Sequence, residues 1–323
     1  MTRSVQKNQF LKLALQEVSV DEILTMSLAR GDLFAKVSES RIFRLKRAGD
    51  FLDDEWKEKI KKSTSLFEHT FSNAEVKKVL SFRLKRWMDE NDPEKFEVEL
   101  NYLLKEIQQL IQADASIFDL CICFFEAFKP ENTIIHHFQN THVILYRRAQ
   151  IVATLASVFA LSCGYHDPRF IKDLYQVAWV MDYGLVSKDF SYWVALACQS
   201  ERVKAGSGIE FLISKKASAA EVELFKAHPQ ESFDKARGVL HLQNPEILSS
   251  ILRHHEKKDG SGFPNGIPYS LISDWEAILL FADQFAAYEE EEIEAQLKSP
   301  LRSLWKDVQS YPLELLPIKR VMS

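Results

Sequence analysis

The stretch "ILRHHEKKDGSGFP" at residues 251–264 decides how this chain is interpreted. Two adjacent histidines and a glutamate run into an Asp-Gly-Ser-Gly turn that ends in Phe-Pro. Neighbouring residues on an α-helix point about 100° apart, so His254 and His255 can reach one ion together only near a helix end. Gly260 and Gly262 supply such an end, and tight glycine turns bring backbone close to a ligand. A His-His pair alone is more often a surface feature, so a metal site requires further ligands elsewhere in the chain.

Three other residues complete a candidate set of metal ligands. His228 stands directly before Pro229 in "AEVELFKAHP", which predicts that the helix ends there. Asp182 in "AWVMDYG" and Asp283 in "ILLFADQFAAY" lie in strongly apolar helical stretches. A carboxylate in such a place has to be capped, paired with a cation or bound to a metal, because burying it bare is costly. Three histidines and two aspartates suit a divalent ion of iron, manganese or zinc.

The composition of the chain excludes several classes of protein. Its 323 residues carry a formal net charge of −5, which disfavours a general nucleic-acid-binding surface. The longest apolar run extends only from residue 151 to residue 165, whereas a membrane-spanning helix needs about 20 residues. We therefore predict a buried core helix there and, without a signal-peptide pattern, a cytoplasmic protein with no membrane partner. The cysteines fit no zinc or disulfide pattern, which predicts reduced core thiols at Cys121, Cys123, Cys163 and Cys198.

Hydrophobic periodicity divides the chain into a short mixed part and a long helical part. Residues 1–72 contain the alternating runs "LFAKV", "RIFRLK" and "SLFEHTF" and the helical run "DDEWKEKIKKS", which together predict a small α+β module. From about residue 75, apolar residues recur at helical spacing, as in "KFEVELNYLLKEIQQLIQ". We predict a mostly α protein with an α+β module at 1–72, a helical connector at 73–130 and a helical domain at 131–323.

The order of these motifs resembles one known family. The segments "AWVMDYG", "EVELFKAHP", "ILRHHEKKDGSGFPNGI" and "ILLFADQFAAY" are similar, in this order, to segments of the HD-GYP family. That family is a branch of the HD-domain metal phosphohydrolases and hydrolyses cyclic di-GMP in bacteria. The resemblance covers roughly residues 130–290, and its HHE-x-x-DG-x-G-[YF]-P segment is highly specific. It implies an HD-type helical bundle that carries a site for two or three metal ions.

Five ligand positions of the family are retained. The resemblance assigns His228 to the family's "HP" step, and His254 and His255 to its paired histidines. Asp182 matches the aspartate of the HD pair, which normally bridges two metals, and Asp283 matches the aspartate of a later helix. In the family, the first four serve one metal, whereas the position of Asp283 belongs to the other.

Three other family positions are changed. Met181 replaces the histidine of the HD pair, Leu185 replaces a lysine, and Arg148 stands at the position of a further metal-ligating histidine. These losses fall on one metal site, so the resemblance implies one divalent ion rather than two, or none. We hypothesise that the Arg148 guanidinium replaces the missing metal by binding Asp182 and Asp283. The alternative is that Arg148 points to solvent.

Further residues are candidates for ligand and partner contacts. Arg253, Lys257 and Lys258 flank the histidine pair and are candidates for phosphate contacts, although a solvated helix end is the simpler role for each. The family's protein-contact loop is retained, with an aromatic side chain that we expect to be exposed; its residues are Asp259, Gly260, Gly262, Phe263 and Pro264. The resemblance implies cyclic di-GMP or a related dinucleotide as ligand. It also implies a GGDEF-type diguanylate cyclase or another signalling protein as partner, and a homodimer is a further expectation.

Three functions remain open at this point. The first is a degenerate HD-GYP-like protein, weakly active or inactive, that acts by binding a ligand or a partner. The second is an active metal-dependent cyclic di-GMP phosphodiesterase with a rearranged metal site. The third is a structural module with no ligand. The changed ligand positions favour the first, and the retained histidines argue against the third.

Overall fold

The chain divides into two compact units, residues 1–77 and residues 78–323. The computed structural model describes residues 15–38, 41–61, 65–70, 74–186, 218–256, 260–286 and 290–303. The division lies close to the predicted end of the α+β module at residue 72. A separate helical connector at 73–130 stays a prediction, because residues 78–130 fall within the same compact unit as the histidine-rich helices.

The first unit is a small antiparallel sheet with two short helices. Its elements are β1 (Gln16–Val18), α1 (Val20–Leu24), β2 (Gly31–Ser38), β3 (Arg41–Lys46), α2 (Asp54–Ile60) and β4 (Leu66–Thr70). The strand order is β1-β4-β2-β3, and each neighbouring pair is antiparallel. Asp53 caps α2 by accepting a hydrogen bond from the Trp56 amide at 2.7 Å. The predicted α+β character is confirmed, and β1 is an additional edge strand.

The secondary structure of the second unit is helical within its described residues, apart from one isolated β-bridge between Ser116 and Pro300. Its helices, the first of which begins just before the division, are α3 (Ala74–Asp89), α4 (Pro93–Gln112), α5 (Ile117–Phe128), α6 (Asn132–Thr141), α7 (Val143–Ser162), α8 (Pro168–Val180), α9 (Tyr183–Val186), α10 (Ala219–Val239), α11 (Ser249–Arg253), α12 (Asp274–Phe285) and α13 (Glu290–Lys298). Short 3₁₀ turns occupy Pro245–Leu248 and Tyr269–Leu271. The predicted fold class, a helical bundle after a small α+β module, is therefore confirmed.

Helix α7 forms the centre of the second unit. Every side chain from Leu145 to Ser162 is buried, and helices α5, α8 and α12 pack against α7. In length and composition α7 would also suit a membrane span, but 89% of its apolar window is buried inside the protein. This burial agrees with the predicted core helix, and it explains why the helix has no polar face.

The cysteines within the described ranges belong to this core. Burial raises the pKa of Cys121 to about 12 and that of Cys163 to about 11. Both side chains are therefore protonated thiols at neutral pH, and Cys123 is buried beside Cys121. Cys198 lies outside the described residues.

A close packing of α9 on α10 places the first candidate ligand. A Cβ atom on Gly184 would lie 2.6 Å from the His228 carbonyl oxygen, so only glycine fits at this contact. The Gly184 amide donates to the Ser232 hydroxyl at 2.8 Å, which fixes the start of α9 on α10. Asp182 is in the turn directly before α9, and this contact therefore holds it beside His228.

Candidate metal centre

Four of the predicted ligands meet in one buried cluster. Asp182, His228, His254 and His255 each offer one ligand atom, and these atoms all lie within 4.8 Å of one another. The four residues are between 0% and 7% exposed. His228 comes from the middle of α10, and the histidine pair follows the last residue of α11, where both rings can turn toward one point. We call these four residues the histidine cluster.

The imidazole Nε2 atoms point toward a common centre. His228 Nε2 lies 3.0 Å from His254 Nε2 and 3.2 Å from His255 Nε2. Asp182 Oδ1 lies 3.6 Å from the Nε2 atoms of both His228 and His254. Three nitrogen donors and one carboxylate oxygen therefore converge from separate elements of the chain.

Pro229 accounts for the orientation of His228. The structure also corrects the prediction that this proline ends the helix. Helix α10 does not end at His228 but continues through Pro229 to Val239. Proline has no amide hydrogen, so the carbonyl of Phe225, four residues earlier, lacks its helical donor. The His228 Nδ1–H donates to that carbonyl at 2.5 Å instead. The helix tolerates Pro229 because the His228 ring donates the hydrogen bond that the proline nitrogen cannot donate. The packing of α9 on the helical turn that contains His228 supports the helix further.

His254 uses the same arrangement at a helix end. Its Nδ1–H donates to the Ile251 carbonyl at 2.6 Å, in the last turn of α11, where carbonyls lose their helical partners. A carbonyl only accepts, so Nδ1 carries a hydrogen in both rings, and the Nε2 atom of each ring faces the cluster. Hydrogen bonding of the second ring nitrogen to a backbone carbonyl is the usual arrangement for a metal-bound histidine.

The electrostatics of the cluster fit a bound cation. Burial lowers the pKa of His228 to about 4, although the hydrogen bond with Asp182 raises it. His228 is therefore neutral at pH 7, and its Nε2, which lies 3.0 Å from His254 Nε2, offers a lone pair to the cluster. A neutral imidazole nitrogen of this kind is a common metal ligand. The donors present thus fit a divalent metal held by Asp182, His228, His254 and His255.

Arg148 lies beside the cluster and binds both predicted aspartates. It projects from α7 and is 2% exposed. Its Nη1 donates to Asp182 Oδ2 at 2.9 Å, and its Nη2 donates to the Asp283 carboxylate and to the Asp283 carbonyl at 3.1 Å. Burial alone would raise the pKa of Asp182, but the adjacent imidazoles and the Arg148 charge hold it well below its usual value. Asp283 is thus bound by Arg148 and is not part of the histidine cluster.

Met181 and Leu185 stand within three residues of Asp182 in the sequence, and their side chains offer no nitrogen or oxygen ligand. Met181 and Leu185 are 1% and 3% exposed and belong to the apolar core. His142, the nearest histidine in sequence to Arg148, caps α7 through its Nδ1, which accepts from the Leu145 amide at 3.3 Å. It is therefore engaged in starting a helix.

The loop after the histidine pair folds back over the cluster. Glu256 is 2% exposed, and its two carboxylate oxygens accept hydrogen bonds from the amides of Asn265 and Ile267, both at 2.8 Å. The Phe263 amide donates to the His255 carbonyl at 3.2 Å, and the two rings stack with centroids 4.6 Å apart. Phe263 is only 7% exposed, so the prediction that it is exposed for protein contacts is wrong. The hydrogen bonds of Glu256 turn the ring inward.

Other predicted loop and phosphate-binding residues have separate positions. Gly260 adopts a φ of +76°, which favours glycine, and Pro264 is exposed at the loop surface, whereas Gly262 is partly buried. Arg253 Nη1 donates to both carboxylate oxygens of Glu276, each at 3.0 Å, so its guanidinium is already bound to a carboxylate. Phosphate binding by Arg253 stays a prediction. Lys257, Lys258 and Asp259 lie outside the described residues.

Sequence reasoning missed the residues that orient the ligands. Glu256 stands in the quoted "HHE" segment but was assigned no role, and Pro229 was assigned only the role of ending the helix. The signal available for Glu256 was a carboxylate directly after two candidate ligands and before a glycine-rich turn. For the Phe225 carbonyl there was a local signal too, because a proline at position 229 removes its helical donor.

Comparison with known proteins gives a distant structural match. No family model and no curated protein matches this chain. A solved structure of "Bd1817, a HDG"Y"P protein from Bdellovibrio bacteriovorus" matches over 95% of this chain and 97% of that chain, with 15% sequence identity and a TM-score of 0.38.

Proposed function

We propose that this chain is an HD-GYP-like protein of bacterial cyclic di-GMP signalling that holds one divalent metal and has little or no phosphodiesterase activity. It acts by binding the dinucleotide or a protein partner, in the cytoplasm. The observation that carries this proposal is the position of Arg148. Its guanidinium binds the two aspartates, Asp182 and Asp283, that a second metal would need.

A second divalent ion is disfavoured by charge and by ligand supply. The guanidinium carries a permanent positive charge at this point, and Arg148 remains charged at any accessible pH. A second cation would have to displace it or lie against it without water to screen the repulsion, since Arg148 is buried. Met181 is apolar where the family has a histidine, so no imidazole compensates for the loss.

The loss of one metal removes much of the catalytic power expected of the family. Two-metal sites clamp both the attacking and the leaving oxygen of a phosphoryl group. Removing one charge-stabilising donor typically lowers the rate by about 10²–10³. Leu185 also replaces the lysine that would neutralise phosphate charge. One remaining ion at the histidine cluster would be held by Asp182, His228, His254 and His255.

The alternative function is an active phosphodiesterase with a rearranged metal site. The observation in its favour is that the four donors of the histidine cluster are all retained and converge. It would require ligands for a second ion that replace Asp283 and the changed positions. We include a GGDEF-type protein partner and a homodimer in the proposed binding function. Both are equally compatible with an active phosphodiesterase, so they do not distinguish the two functions.

Elemental analysis and ligand binding on the same sample test the proposal. The full chain is purified without chelators, its metal content per chain is measured, and cyclic di-GMP is added for a turnover assay and for calorimetry. We expect one divalent ion, no linear dinucleotide product, and saturable binding of cyclic di-GMP that GTP does not compete for. Two ions per chain with turnover would establish the alternative. Absence of both metal and dinucleotide binding would leave only a structural module.

A further inference from the structure

We infer that the histidine cluster is a closed, four-coordinate site of the zinc type, in which the ion fixes the Gly260–Ile267 loop and does not meet substrate. This inference rests on the proposed one-metal function and names the role of that metal. It follows from the number and spacing of the donors, from the rings that cover them, and from the hydrogen bonds of the loop.

The donor spacing suits a tetrahedral ion. Metal–ligand bonds of about 2.0–2.1 Å in a tetrahedral site place the donors about 3.3–3.4 Å apart. An octahedral site with the same bonds would place adjacent donors about 2.9 Å apart. Four of the six donor separations are 3.0, 3.2, 3.6 and 3.6 Å, with a mean near the tetrahedral value, and all four donor atoms lie within 4.8 Å of one another.

The number of protein ligands points to a structural role. Catalytic zinc sites use three protein ligands and leave the fourth position to water or substrate, whereas structural sites use four. Here three Nε2 atoms and Asp182 Oδ1 supply four. The second oxygen of Asp182 accepts from Arg148, which keeps the carboxylate turned with one oxygen toward the cluster.

Aromatic rings cover the cluster. Phe263 stacks on the ring of His255 at 4.6 Å with an angle of 17° between the planes. Phe225 lies 5.0 Å from the ring of His228 and 5.6 Å from that of Phe263, measured between centroids. With all four ligands at most 7% exposed, the described part of the chain leaves the ion little contact with water.

The loop that carries Phe263 is fastened by the residue next to the ligands. Glu256 directly follows His255, and its carboxylate holds the amides of Asn265 and Ile267. The ligand, the covering ring and the fastening carboxylate therefore lie within one short segment. An ion bound to His228 on α10 and to the histidine pair would tie this segment to α10.

Cobalt substitution tests whether the site is closed. The full chain is loaded with one Co(II), its visible spectrum is recorded, and azide or inorganic phosphate is then added. We expect the intense absorption of tetrahedral Co(II), unchanged by either anion. In Phe263→Ala we expect the same stoichiometry but a spectrum that responds to azide, whereas Phe128→Ala, which removes a buried ring from α5, should not respond.

The outcomes separate this inference from the proposed function. A weak octahedral spectrum, or a wild-type spectrum that shifts with azide or phosphate, would overturn the closed site while a one-metal protein remained. Failure of the wild type to take up any metal would overturn the proposed one-metal function as well. If Phe263→Ala does not fold, the wild-type response to azide still decides.

Discussion

Replacing Pro229 by alanine should stabilise the helix and weaken metal binding at the same time. The substitution restores an amide hydrogen four residues after Phe225, and this amide competes with His228 Nδ1 for the Phe225 carbonyl. Proline inside a helix costs about 3 kcal/mol relative to alanine, so the metal-free variant should gain stability up to about this amount. Changing a group that orients a metal-bound histidine typically lowers metal affinity by about 10–100-fold.

Pro229→Ala is therefore expected to raise the stability of the metal-free protein and to lower its metal affinity, and few other causes would change the two in opposite directions. A loss of 10–100-fold in affinity corresponds to about 1.4–2.8 kcal/mol. Chemical denaturation of the chelated protein gives the stability, and competition with a chromophoric chelator gives the affinity. Gly238→Ala is the matched control, because it lies in the same helix and an added Cβ meets nothing within 4 Å. It should raise stability by about 1 kcal/mol and leave metal affinity unchanged.

One result would refute this account of the proline. If Pro229→Ala bound metal within a factor of two of the wild type, the Phe225 carbonyl would be accepting both donors. The orientation of His228 would then come from packing against Phe225 and the neighbouring rings alone. A loss of stability in the metal-free variant would instead show that α9 packs on the proline ring itself.

Three further predictions concern other contacts of the site. Glu256→Gln should release metal faster than the wild type at a temperature well below unfolding, as followed by stopped-flow chelation. Asp173→Asn, which disturbs a buried carboxylate that holds two loop amides elsewhere, should release metal at the wild-type rate. Burial raises the pKa of Glu276, but hydrogen bonds from Ser273 and Ser249 and the charge of Arg253 lower it by more, so the folded-state pKa lies below 4.5. The charged Glu276 therefore stabilises the fold above about pH 4.5, and this contribution is lost as the pH falls further. In urea denaturation, the stability deficit of Glu276→Gln should shrink as the pH is lowered below 4.5. The pair Arg148→His and Met181→His should raise the metal content from one toward two per chain, and an unchanged content would mean that Arg148 is not what excludes the second ion.

The fold class was predictable because periodicity reports it directly. Helical spacing from residue 75 onward and alternation before residue 72 are local patterns, and both correspond to the elements observed. Residue type and local context made the members of the histidine cluster candidate ligands, but only the resemblance assigned them to one metal, since Asp182, His228 and His254 are far apart in sequence. Periodicity has no means of showing that they converge.

The features that sequence analysis missed depend on tertiary contacts that override local rules. Pro229 predicted a helix end, but the contact of Gly184 with α10 and the hydrogen bond of His228 keep the helix continuous. Phe263 was expected to be exposed because the resemblance places it in the family's protein-contact loop. The two amide contacts of Glu256 turn that loop inward, and nothing in a local pattern specifies the partners of a buried carboxylate.

Arg148 separates the two things that a metal does in such a site. A metal neutralises buried carboxylates, and it also activates water and substrate oxygens. The guanidinium performs the first task for Asp182 and Asp283 through charge-assisted hydrogen bonds, and removing it would take the buried cation away from both carboxylates at a cost of about 3–5 kcal/mol. It cannot perform the second task, because it offers no vacant coordination position. An arginine at this position therefore preserves the charge balance of the buried carboxylates, and with it the packing of α7 on α12, without supplying the catalytic charge of a second metal ion.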